Sequence, residues 1–138
     1  TQACASLGRS QWHPEAPEGA RGIFVDETEC VICHNCTTMA PETFEMDSEG
    51  RGRARVFVQY GDWEEDIDEA VQSCPTGAIA YVDREVLPYL EAVMPDTEME
   101  PPHVMMRRRS GNISMSNSLP GPYELAQRLR RRTLERGE

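Results

Sequence analysis

The sequence predicts a small α+β domain. Short antiparallel strands and helices fold around one compact bound object, with an extended N-terminal arm and a C-terminal tail that ends in a helix. Three observations predict it. Cysteines stand at Cys30, Cys33 and Cys36, and Cys74 follows far downstream with Pro75 directly after it. Two apolar segments of strand length, residues 22–26 and 78–82, bracket those cysteines. Between them, a segment with helical spacing of apolar residues runs up to Cys74, so a helix end delivers the last thiol.

Taken in order, residues 1–20 are small and polar, contain Pro and Gly, and show no periodicity. They read as an irregular arm. Trp12 is its one bulky aromatic, expected to pack on the chain's own core, with a partner's groove as the second choice. Gly22 to Asp26 (GIFVD) reads as a strand, and the cysteine loop of residues 30–36 follows. Thr43 to Met46 and Arg53 to Val58 alternate polar and apolar residues. They read as two strands joined by a turn at Asp47-Ser48-Glu49-Gly50. Asp62-Trp63-Glu64-Glu65 reads as a helix start, Asp62 capping the free amides and Glu65 closing a capping box. That helix carries Ile67, Ala70 and Val71 on one face. Pro75 stops it and biases Cys74 toward an extended backbone. Gly77 permits a tight turn, and Ala78 to Val82 reads as a strand that pairs with Ile23 to Asp26. Arg84 to Met94 adds a helix with Val86, Leu87, Leu90 and Val93 as a buried stripe. From Pro95 the composition changes to prolines, methionines and a Ser/Asn/Gly stretch, which reads as a linker. Pro122 opens a basic, weakly amphipathic helix with Leu125, Leu129 and Arg128, Arg130, Arg131 and Arg132. The expected boundaries are an arm at 1–20, the cysteine-bearing domain at 21–94, a linker at 95–121 and a helix at 122–138.

Three thiols at a period of three residues cannot converge from a regular helix or strand. They converge if the backbone wraps a compact object and points each sulfur inward. A cubane iron–sulfur cluster is such an object, and a remote Cys-Pro is the usual source of the fourth sulfur. Chains with two clusters carry the run C-x2-C-x2-C-x3-C-P twice, and the fourth cysteine of each run serves the other cluster. Here the fourth position of the first run is Ala40, with Pro41 kept. A second run ending at Cys74 would need cysteines at positions that hold Glu64, Ile67 and Ala70. One complete set survives: Cys30, Cys33, Cys36 and Cys74, assigned as the ligands of one [4Fe-4S] cluster. The presence of Cys33 argues against a three-iron [3Fe-4S] cluster. Zinc fits poorly, because structural zinc sites bring their ligands as two separated pairs. About 60 residues build the domain, a core marginal on its own. Ligation would supply much of the folding free energy, so the cluster-free chain is expected to be poorly folded.

The 138 residues carry a formal net charge of −10, unevenly spread. Residues 1–100 hold 21 acids against 6 arginines, and residues 101–138 hold 8 arginines against 3 acids. An acidic body steers a small carrier toward basic partners, although solubility alone would account for it. All 14 basic residues are arginine, which reads as sequence bias. No apolar run is long enough to span a membrane. Thr1 in place of Met reads as a processed or trimmed start, with no signal peptide. Thiolate ligation points to a reducing compartment. The fifth cysteine, Cys4, lies in the polar arm and reads as an incidental thiol.

The segments FVDETECVICHNCTTMAPETFEMD, GRARVFVQYGD and SCPTGAIAYVDREVLPYLEAVM, in that order, resemble single-cluster bacterial-type ferredoxins. The similarity leans toward the ferredoxin module of cyanobacteria and of plastid proteins that fuse it to a J-domain. It covers about residues 22–94. The resemblance implies a ferredoxin-like fold, one [4Fe-4S] cluster, and a setting in the plastid stroma, peripheral on the stromal side of the thylakoid membrane, or in a cyanobacterium-like cytoplasm. No His-Pro-Asp signature occurs, so a co-chaperone role is not expected.

The expected function is therefore one-electron transfer rather than catalysis. No nucleophile–base set, phosphate loop or pair of catalytic carboxylates accompanies the cysteines. Backbone amides of Val31-Ile32 and His34-Asn35 are expected to donate to sulfur. Val31, Ile32, Ile23, Ile79 and Val82 are expected to form the apolar shell. His34 reads as a surface residue of the loop, and His13 and His103 fall in irregular segments without a role. Expected partners are protein redox partners or a larger membrane-associated complex, photosystem I among them, met through residues 1–20 and 95–138. The alternative is an accessory subunit in which the cluster mainly holds the fold together. The Arg107-Arg108-Arg109 run lacks an aromatic stacking platform, so nucleic acid is not expected.

Overall fold

Residues 10–47, 52–98, 101, 103, 104, 107 and 120–136 are described by the computed structural model of the chain. In chain order, β1 (Gln11–Trp12) and β2 (Gly22–Val25) precede the short helix α1 (Asn35–Met39). Strands β3 (Phe44–Met46), β4 (Ala54–Val56) and β5 (Val58–Gln59) lead to helix α2 (Glu64–Ser73). Strand β6 (Ile79–Val82) is followed by α3 (Leu87–Val93), a 3-10 turn at Met94–Asp96, and α4 (Pro122–Glu135). Cys4, the expected turn at Ser48–Gly50 and most of the expected linker lie outside the described residues.

The frame of the site is the antiparallel pairing of β2 with β6, Gly22 opposite Val82 and Val25 opposite Ile79. Alternation of side chains across these strands gives the sheet two apolar faces. Ile23, Val25 and Ile79 join a core with Phe44, Ala54, Val56, Ile67, Ala70 and the buried cysteines. Phe24 and Val82 face a second core with Leu87, Leu90, Met94 and Ala126. The free edge of β2 is closed by a side chain. The fully buried Gln59 accepts from the Ile23 amide at 2.7 Å and donates to the Ile23 carbonyl at 2.9 Å, standing in for a neighbouring strand.

The arm is not irregular throughout, as the sequence suggested. Residues 11–12 form a parallel pair with β5, Gln11 opposite Val58. Trp12 stacks on Tyr60 with ring centroids 6.0 Å apart, and the Arg84 guanidinium lies 3.8 Å over its indole. Two residues of strand are too short to register as a period, so only the aromatic hinted at this anchor.

The expected capping box is not formed. Helix α2 starts at Glu64 with Trp63 as its cap residue and no side-chain cap bond. Asp62 accepts instead from the Glu42 amide at 3.0 Å and the Thr43 hydroxyl at 2.8 Å. It fastens the turn before β3, a long-range use that competes with the local one. In α3 the buried side chains are Leu87 and Leu90, with Met94 just beyond, while Val86 and Val93 are half-buried. Helix α4 packs on α3, burying Pro122 and Ala126. Tyr123 meets Phe24 edge-on at 5.7 Å, and Arg130 reaches Glu85 at 3.6 Å.

One glycine marks where two segments are in near contact. A Cβ at Gly61 would stand 2.3 Å from the Glu42 carbonyl oxygen. Gly61→Ala is expected to displace the turn held by Asp62 and to destabilise the holoprotein by about 1–3 kcal/mol, the usual cost of overpacking. A urea midpoint equal to that of the unaltered chain would contradict this.

Candidate metal centre

Cys30, Cys33, Cys36 and Cys74 line one cavity, together with Val25, Val31, His34, Met46, Ala54, Ala78 and Ile79. Cys30 and Cys33 come from the loop between β2 and α1, and Cys36 from the first turn of α1. The fourth caps the C-terminal end of α2 in an extended conformation (φ −68°, ψ 114°), the bias imposed by Pro75. The Asn35 side chain ties the two together by donating to the Ser73 carbonyl at 3.2 Å. Gly77, at φ +67°, turns the chain immediately after Cys74 so that β6 can return to β2.

The four cysteines stand on the walls of a cavity whose other lining is almost wholly apolar. An apolar cavity with sulfur on its walls suits a compact cluster better than a mononuclear tetrahedral ion.

The loop itself is shaped for such an object. Ile32 and His34 both adopt left-handed backbone, at φ 61° and 66°, a region that a β-branched residue enters only at a cost. The sulfur-directed amides found outside that loop belong to other segments than those the sequence singled out. Ala54 donates to Cys30 Sγ at 3.5 Å and Ala78 to Cys74 Sγ at 3.2 Å. The Thr76 hydroxyl lies 3.5 Å from Cys74 Sγ and donates to the Glu29 carbonyl at 2.6 Å, bridging the two ends of the site.

Electrostatics distinguish the thiols. Burial, with the like charges of Cys30 and Cys33 added, pushes the Cys36 thiol up to about 12. Burial also opposes ionisation of Cys74, but its hydrogen bond with the Thr76 hydroxyl and those from the amides of Ala78, Thr76 and Ile79 outweigh it and hold that thiol below its ordinary value. Four thiolates cannot share an apolar cavity without a cation among them, and iron held by these cysteines would supply it. Cys30 and Cys36 are buried, Cys74 is half-buried and Cys33 is exposed, so Cys33 marks the side on which the cavity meets solvent.

The apolar shell differs from expectation in part. Val31 and Ile79 line the cavity, but Val82 lies in the second core. It stands three residues from Ile79, and a strand's period of two sends it to the opposite face. Ile23 is in the front core and Ile32 packs against that core, neither on the cavity wall. Val25, Met46, Ala54 and Ala78 take those places. His34 is exposed, and its carbonyl accepts from Thr37 and Thr38 at the start of α1.

Residues 25–81 match the family described as the 4Fe-4S single cluster domain of Ferredoxin I. The chain is 38% identical over 64 residues to Ferredoxin-1 of Desulfocurvibacter africanus, covering 46% of this chain and 97% of that protein. It is 43% identical over 74 residues to the chloroplastic chaperone protein dnaJ C76 of Arabidopsis thaliana, covering 54% of this chain and only 16% of the chaperone. The crystal structure of the ferredoxin I from Desulfovibrio africanus matches 47% of this chain and all of that one, with 37% identity and a TM-score of 0.44.

Removing the metal is expected to dismantle the front core, because its cavity would then hold sulfurs with no cation among them. Acid or chelator treatment of the holoprotein should bleach the visible charge-transfer absorption and abolish the near-ultraviolet dichroism of Trp12 and Tyr60 in parallel. Bleaching with the aromatic signal intact would contradict it.

Proposed function

The chain belongs to the single-cluster [4Fe-4S] ferredoxin family, and from that premise we propose that it carries single electrons on one cluster held by Cys30, Cys33, Cys36 and Cys74 while docked on a larger plastid assembly. One observation carries the ligand assignment: these four residues, from two distant segments, line one apolar cavity. When bound, the cluster accepts and gives up one electron with little change of shape. The protein does the rest. Val25, Val31, Ile79 and Met46 exclude water from the sulfurs, and the amides of Ala54 and Ala78 place hydrogen-bond donors beside them. Exposed Cys33 offers the short way in and out for an electron.

Two features support the docked form. Residues on either side of the matched segment 25–81 fold back onto it, through Trp12 and through α4. Arg131 and Arg132 are exposed on α4, on a chain whose remainder is strongly acidic. The similarity to a chloroplastic protein supports a plastid setting, the stroma or the stromal face of the thylakoid, with photosystem I a candidate host. A second reading is favoured by the same packing: an accessory subunit whose cluster mainly staples the fold.

Voltammetry of the purified holoprotein is expected to show one reversible one-electron couple at low potential. Its absence would sink the carrier reading and leave the accessory one. Reversing Arg131 and Arg132 to glutamate is expected to leave the absorption spectrum unchanged and to reduce co-sedimentation with thylakoid membranes. Undiminished co-sedimentation would remove α4 from the docking surface.

A further inference from the structure

Arg53 is among the largest side chains that the fold buries completely, at 2% exposure. Nothing in the strand pattern asks for a guanidinium there. A buried cation is costly unless its surroundings use it. Its Nη1 donates to the Glu27 carbonyl at 2.6 Å and to the Cys30 carbonyl at 3.0 Å. The next residue, Ala54, donates its amide to Cys30 Sγ. Residues 53 and 54 therefore hold the same cysteine by its backbone and by its sulfur. On the other side, Thr76 takes the Glu29 carbonyl, so the carbonyls of Glu27, Glu29 and Cys30 all accept from side chains.

We propose that Arg53 is a positioning residue that sets the reduction potential of the centre through Cys30. The proposal rests on the ligand assignment made above. Arginine keeps its charge at every accessible pH, and inside a protein that charge acts at a low effective dielectric. Reduction adds one negative charge to the site beside Cys30. A fixed cation within hydrogen-bond reach of that residue stabilises the reduced form more than the oxidised one, which raises the potential. The two bonds from Nη1 add a second effect: they fix the Cys30 peptide, and with it the direction from which Cys30 Sγ enters the cavity.

Two variants separate charge from packing. Arg53→Gln keeps a donor for the carbonyls and removes the charge; Arg53→Lys keeps the charge and loses the planar guanidinium. The readout is the midpoint potential from an EPR-monitored redox titration of the holoprotein, with cluster content from charge-transfer absorbance. R53Q is expected to hold the cluster at a midpoint more negative than that of the unaltered chain, well beyond the reproducibility of the titration. R53K is expected to return most of the way toward the original value. The proposal is overturned if the R53Q midpoint does not move, if R53K moves as far as R53Q, or if neither variant retains a cluster, which would make Arg53 structural alone. Should the unaltered chain itself give no EPR signal on reduction, the fault lies with the ligand assignment and not with Arg53.

Discussion

Everything in this molecule is arranged around the difficulty of placing four sulfurs on the walls of one apolar cavity. The pairing of β2 with β6 solves the geometric half. Val25 and Ile79 lie opposite one another, and Cys30 follows the first by five residues while Cys74 precedes the second by five. The strand pair thus works as a hinge plate from which two arms of equal reach close on the cavity. Gly77, the α1–α2 contact and the strap from Thr76 to the Glu29 carbonyl complete the closure.

The electrostatic half is solved by the metal. Cys36 alone would stay protonated at any physiological pH, and the donors on Cys74 improve only one corner of the site. Individual hydrogen bonds contribute on the order of 1 kcal/mol each. Metal binding to structural thiolate sites supplies on the order of 10–16 kcal/mol in zinc-finger peptides. That disparity decides which effect would govern in the metal-bound protein: the amides orient the sulfurs, and iron ligated by them would keep them together. The same comparison explains why the chain tolerates left-handed backbone at Ile32 and His34. A strain of about 1–3 kcal/mol per residue is small beside ligation.

The cysteine spacing singled out four residues that the fold does bring to one cavity, because side chains that must meet around one object leave a fixed interval in the chain. The pairing of Ile23–Asp26 with Ala78–Val82 was legible for a similar reason, two apolar runs bracketing the set. What the chain hid was every long-range use of a polar side chain. Asp62 has the local look of a helix cap and is spent on the Glu42–Thr43 turn. Gln59 looks like a surface residue of a strand and closes the edge of β2. Arg53 sits in an alternating pattern that reads as solvent-facing and is buried. Each of these is decided by a partner dozens of residues away, and periodicity carries no trace of such a partner. Val82 is a plainer miss, since counting by two from Ile79 already places it on the other face.

The second core gives the C-terminal extension a character that its composition conceals. Helix α4 is rich in arginine and polar along most of its length, yet Ala126 is only 2% exposed and shares its surroundings with Phe24 and Leu90. A strand covered on both faces has no position free to drift. Substitutions at Pro122 or Ala126 therefore meet the selective resistance of a domain interior, whereas Gln127, Arg131 and Arg132 on the outer side can vary with whatever the protein binds. The extension packs as part of the fold, and its outward face is the part that can change without disturbing the core beneath it.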